Sequence, residues 1–150
     1  MGLIAAALLF GGAVLINSLR HAPAIHAQNG CDASSFVGGY GYALSGYAYD
    51  ADGNLYILAA AGRMVSDGNG NLTGADTFSF DGTISRRTYV GSYSLNSDCT
   101  GSMTLQVTGG VGITGTAHGD IVAVSNAREI NFIQTDANDV FSGVLKRQNQ

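Results

Sequence analysis

The chain has 150 residues, one domain's length, and a formal net charge of −4 from seven basic and eleven acidic side chains. Only 12% of residues are charged and 22 are glycine, well above the usual glycine share of about 7%. That is too little charge for a disordered tail or a coiled coil, there is no Gly-X-Y period for collagen, and cations are too few for nucleic-acid binding.

The first thirty residues read as an address. Leu3 to Ile16 is an uncharged run of fourteen residues, the length of a secretory core and short of the roughly 20 that a membrane span needs. Small residues follow, Ala22-Pro23-Ala24 and Ile25-His26-Ala27. Cleavage is expected after Ala27, with Ala24 as the alternative site and an uncleaved N-terminal anchor as the alternative fate. Residues 1–27 are thus a signal peptide and 28–150 a single domain, exported to the periplasm, the cell surface or the medium. Gln28-Asn29 before Gly30-Cys31 is too polar for a lipoprotein site. The exported part keeps one His, His118, one Glu, Glu129, and one Lys, Lys146, and has six basic against eleven acidic residues, a net of −5.

Both cysteines, Cys31 and Cys99, lie in the exported part. An even count in an oxidising compartment favours a disulfide. Two Cys with one lone His do not make a zinc site.

From residue 39 onward, short runs of Val, Ile, Thr, Tyr and Phe alternate with Gly/Asn/Asp turns, eight times over. The runs are 39–45, 56–66, 72–80, 83–95, 102–107, 116–124, 129–135 and 140–146. Asp50-Ala51-Asp52-Gly53-Asn54 and Asp67-Gly68-Asn69-Gly70-Asn71 are turns, and Asp81-Gly82 is a strong two-residue hairpin signal. A glycine-spaced stretch, Gly109 to Gly115, leads into the sixth run. Tyr40, Tyr42 and Leu44 share one face of the first run, and Tyr89, Tyr93 and Leu95 share one face of the fourth. No run has a sustained helical period. The fold class is all-β: an eight-stranded antiparallel meander, closed into a barrel that removes its own edges, with an open β-sandwich as the alternative. An eight-stranded barrel has room for side chains or for one small ligand.

Four segments, V-G-G-Y-G-Y-A-L-S-G (37–46), S-D-G-N-G-N-L-T-G (66–74), V-G-S-Y-S-L-N-S-D-C-T-G-S-M-T-L (90–105) and I-N-F-I-Q-T-D (130–136), resemble a group of small secreted bacterial proteins common in acidobacteria. The resemblance implies a calycin-like barrel, similar in shape to allene oxide cyclase and dirigent proteins, and export. It implies no chemistry, since no catalytic motif of those families maps onto a residue of this chain.

Few constellations carry chemistry. His118 and Asp120 share a strand face: an inward orientation would place a general base and its orienter at a barrel mouth, whereas an outward one leaves them at a solvent-facing strand end beside the Gly-rich stretch. Glu129 is a candidate carboxylate, either reaching a ligand or Arg63, or standing at a hairpin end. Arg63, in a run of small apolar residues, is expected on the outside. Asp50, Asp52, Asn54 and Asp67, Asn69, Asn71 have alternating oxygens of the kind that hold Ca²⁺, but neither set has the Gly at position six or the Glu at position twelve of an EF-type loop. No metal and no cofactor is implied. Tyr40, Tyr42, Tyr89, Tyr93 and Phe132 fill a core or line an apolar pocket with phenols for orientation.

Three functional classes remain: a secreted binding module for a small apolar molecule, an envelope or surface protein with a solid core that acts by assembly, and an isomerase or cyclase working mainly by shape. The expected partners are a small apolar molecule and a second copy of the chain, with no nucleic acid and no membrane once the signal is cleaved.

Overall fold

The structure is a computed structural model, which describes residues 30–109 and 115–149. The expected signal peptide, its cleavage site and most of the stretch from Gly109 to Gly115 lie outside the described residues. Eight strands follow in chain order: β1 (Val37–Tyr49), β2 (Leu55–Asp67), β3 (Asn71–Phe80), β4 (Thr83–Leu95), β5 (Thr100–Thr108), β6 (Gly115–Val124), β7 (Glu129–Gln134) and β8 (Asp139–Arg147). Each pairs antiparallel with the next, and β1 also pairs with β8, from Tyr40 opposite Arg147 to Ala48 opposite Asp139. The sheet is a closed meander barrel, which excludes the open sandwich.

Alternation puts the apolar set inside. On β4, Ser85, Arg87, Tyr89 and Tyr93 are buried, whereas Arg86, Thr88, Val90 and Ser92 are exposed. The high glycine content belongs partly to this small interior. A Cβ on Gly46 would overlap the Val140 carbonyl, and one on Gly101 would overlap the Ser94 carbonyl, so neighbouring strands approach there as only glycine permits.

The turns follow their sequences. Asp81 (φ 45°) and Gly82 (φ 84°) both take left-handed conformations, as a tight two-residue hairpin requires. In the β1–β2 turn, Asp50 Oδ1 accepts the N–H groups of Asp52 and Asn54 at 2.9 and 2.8 Å, and Oδ2 accepts the Asn54 amide at 2.8 Å. Asp67 repeats the pattern with Asn69 and Asn71. The alternating oxygens that resembled calcium ligands therefore close their own loops. The Asn54 and Asn71 hydrogen bonds hold both carboxyls below their usual range.

One end of the barrel is plugged by the chain that enters it. A single 3₁₀ turn (Ala33–Ser35), capped by Asp32, delivers Phe36 to a fully buried position between the rings of Tyr40 and Tyr93, each with its centroid 4.8 Å away. Three of the plug's carbonyls are held by the wall: Tyr93 donates to Ala33 O at 2.6 Å, Arg147 Nη2 to Ser35 O at 2.7 Å, and Ser66 Oγ to Phe36 O. Cys31 and Cys99 form the expected disulfide, spanning 68 residues. It ties the plug to the β4–β5 turn.

Replacing both cysteines by Ser is expected to cost about 4 kcal/mol of unfolding free energy, the chain-entropy value for a loop of this size. Urea unfolding of the oxidised wild type and the double variant checks this.

Candidate ligand site inside the barrel

The Asp81–Gly82 turn sets the register of β3 against β4 and places Asp76 directly opposite Arg87. Alternation turns both side chains inward, among Leu72 and Phe78 on one strand and Tyr89 and Tyr93 on the other. The result is a bidentate ion pair: Arg87 Nε donates to Asp76 Oδ1 at 3.0 Å and Nη2 to Oδ2 at 2.7 Å. The side chains are 7% and 3% exposed. The guanidinium also lies over the Phe78 ring, with its central carbon 3.7 Å from the centroid.

Two phenols complete the cluster. Tyr42 donates to Asp76 Oδ2 at 3.0 Å, and Tyr89 donates to the Arg63 carbonyl at 3.2 Å. Each tyrosine faces a glycine on the neighbouring strand, Gly62 opposite Tyr42 and Gly74 opposite Tyr89. A Cβ on Gly62 would come within 2.8 Å of the Tyr42 hydroxyl, and one on Gly74 would overlap the Tyr89 phenol. These glycines leave the space in which the rings lie over the sheet. Burial, then the nearby Tyr89 and Asp76, holds the Tyr42 phenol well above its ordinary range. Burial pushes Tyr89 up to about 12, against a hydrogen bond with Tyr42. Both phenols therefore stay protonated at neutral pH and act as donors.

The cluster faces a cavity of about 50 Å³, closed on its other sides by apolar groups such as Met64, Met103, Leu105 and Phe132, with Gln134 the one further polar lining group. A site for a whole drug-sized ligand measures about 300–1,000 Å³. This cavity has room for a few waters or for the head of a ligand.

The aromatic residues singled out in the sequence divide into two groups. Tyr42, Tyr89 and Phe132 line the cavity. Tyr40 and Tyr93 instead belong to the plug: Tyr40 donates to the Ala127 carbonyl at 2.6 Å and receives Arg147 Nε at 3.0 Å, and Tyr93 holds the Ala33 and Phe36 carbonyls.

The three residues considered for catalysis lie outside the barrel. On β6 it is Gly119, Ile121 and Ala123 that point inward, so His118 and Asp120 are exposed. The inward orientation raised for them does not occur. His118 pairs with Asp136 rather than with Asp120: Nδ1 lies 2.7 Å from Asp136 Oδ1, and the His118 backbone N–H donates to Oδ2 at 2.8 Å. Glu129 takes the hairpin-end position, 3.7 Å from Lys146 on the outer surface, and reaches neither the cavity nor Arg63. Arg63 is exposed as expected, its Nε donating to Gln148 at 2.8 Å.

Asp76, Arg87 and Gln134 were not among the sequence candidates. The signal for the first two was their position: both fall on the apolar parity of their runs, at equal distances from Asp81–Gly82. Gln134 links the cavity to the barrel's unplugged end, where its amide donates to Asp136 at 3.1 Å and to Asp139 at 2.8 Å. Burial raises the Asp136 carboxyl, but the His118 hydrogen bonds outweigh it and leave the group below its usual value. Burial, then the Asp136 charge, raises Asp139 above its usual value, with the Gln134 hydrogen bond opposing.

No family model matches the chain, and no match was found among curated proteins or solved structures.

A folded pKa above the unfolded value means that ionising Asp139 opposes folding. The penalty is absent below the unfolded pKa of about 3.9 and complete above the folded one. Asp139→Asn keeps an acceptor for Gln134. It is expected to raise the unfolding free energy near pH 7 and to leave it unchanged near pH 3, as urea titrations at about these two pH values would reveal.

Proposed function

We propose that the chain is an exported binding module that takes the head of a small, mainly apolar molecule into the barrel and orients it by one polar group. The observation that carries this is the Asp76–Arg87 pair, with Tyr42 hydrogen-bonded to it, facing a cavity that is otherwise apolar. A buried ion pair contributes little net stability compared with apolar side chains of similar volume. Set in the cavity wall beside Tyr42 and Tyr89, it gives a guest one polar side to orient against, and the apolar lining accepts the rest. The cavity volume restricts the enclosed part to a few heavy atoms. Export is supported by the disulfide across 68 residues, a bond of oxidising compartments, and by the resemblance of the four quoted segments to small secreted bacterial proteins with calycin-like barrels.

The polar groups that converge inside are Asp76, Arg87, Tyr42, Tyr89 and Gln134, and neither His118 nor Glu129 is among them. An isomerase or cyclase that used those two as interior acid or base finds no footing in this arrangement.

The test is native mass spectrometry of the protein exported with its own N-terminus, alongside thermal shifts with short-chain fatty acids and substituted phenols. A small-molecule adduct, or a shift with one of these probes, is expected. It should vanish in Ala117→Phe, which fills the cavity from its wall. A bare wild-type chain that none of the probes shifts would contradict the proposal.

A further inference from the structure

The outer surface of β8, β1 and β2 is banded along the barrel axis. Cross-strand pairing defines the bands. At the unplugged end, the β1–β2 turn carries Asp50 and Asp52. Next come Tyr49 opposite Leu55, and then Val140, Tyr47 and Ile57 in one row. These five apolar side chains are 39–65% exposed, and the Tyr47 and Tyr49 rings pack edge to face at 5.7 Å. Two rows of Ser, Ala and Val follow. The row after them, Lys146–Gly41–Arg63, is basic. From the acidic turn to the basic row no charged side chain points outward on these strands.

The geometry points to a two-fold homodimer in which this face packs against its own copy, with the axis perpendicular to the barrel between the Tyr47–Ile57 and Ser45–Ala59 rows. Three features carry it. First, the barrel is closed, so no strand edge is left for β-addition and association must use a face. Second, the five apolar side chains present on the order of 500 Å² per copy. Two such faces with their Ser and Ala surroundings bury about 1,000 Å² in total, the lower bound of a specific interface. Third, the charge pattern is self-complementary under this rotation. The basic row and the acidic turn stand at similar distances on either side of the axis, about five residues or ~17 Å along the strand. Rotation therefore sets Asp50 and Asp52 of one copy against Arg63 and Lys146 of the other, on both sides at once. Lys146 shares its position with Glu129, so Arg63 is the main cation of the contact. A lipid surface fits less well: the aspartates beside the apolar rows would have to enter an anionic interface. The inference does not depend on the cavity or its ligand.

Sedimentation equilibrium of the exported full-length protein tests it. A dimer with a Kd in the range of about 10 μM is expected, as for other interfaces of this small size. Ile57→Lys and, separately, Leu55→Ser should each weaken it about tenfold or more while the thermal unfolding curve stays that of the wild type, since both side chains are exposed. Arg63→Glu should weaken it about tenfold, and adding Asp52→Lys to that variant should recover most of the loss, because the Arg63–Asp52 contact is then reversed in place on both sides of the axis. A chain that stays monomeric at about 100 μM would overturn the inference. So would an unchanged Ile57→Lys dimer, a charge-swapped variant that fails to recover, or a monomer that co-sediments with anionic vesicles.

Discussion

An ion pair stands in the middle of a barrel whose radius leaves little room for it, and the surrounding interior is arranged around that pair. Arg87 and Asp76 face each other because a two-residue turn at Asp81–Gly82 sets the β3–β4 register. Their charges cannot be solvated at 7% and 3% exposure, so neighbours satisfy them. The Phe78 ring covers the guanidinium, and Tyr42 reaches the carboxylate across Gly62. Tyr89 packs beside them across Gly74. Seen this way, glycines at inward positions are the counterpart of the tyrosines. At these two positions the phenols lie inside where the opposing strand gives up its Cβ, whereas Tyr40 and Tyr93, opposite Met64 and Met103, point to the plugged end.

The two ends of the barrel do different work. At one end Phe36, the 3₁₀ turn and the Cys31–Cys99 bond close the interior, and the Ala33, Ser35 and Phe36 carbonyls of the plug are hydrogen-bonded to the wall. That end is built for stability. At the other end Gln134 connects the cavity lining to Asp136 and Asp139, and through Asp136 to His118, a polar cluster at the surface. The contrast places the candidate site nearer the unplugged end: apolar residues and a disulfide shut the barrel on one side, whereas a hydrogen-bonded polar cluster lies on the other.

The strands were readable because a closed antiparallel sheet with an apolar interior imposes a two-residue period, and short Gly/Asn/Asp turns interrupt it. All eight runs, the Asp81–Gly82 hairpin and the shared face of Tyr40 and Tyr42 follow from that. The sign of each face did not follow. Alternation states which residues lie together, and only closure states which set lies inside, so His118 and Asp120 could be grouped but not oriented. Asp76 and Arg87 were legible in principle, being equidistant from the hairpin and on the apolar parity. Each charge taken alone argues for the solvent face, and only pairing across two strands makes an inward assignment affordable. The Asp136 contact with His118 joins a strand to a turn 18 residues away, which no local pattern encodes.

If the pair serves a guest rather than the fold, the protein does not need it to stay folded. The most direct test is urea unfolding of the double variant Asp76→Leu/Arg87→Met, which replaces both charges by apolar groups of similar volume. An unfolding free energy equal to or above that of the wild type is expected, as for other buried pairs so replaced. A loss of about 3 kcal/mol or more would make the pair a structural element of the barrel and contradict its assignment to ligand binding.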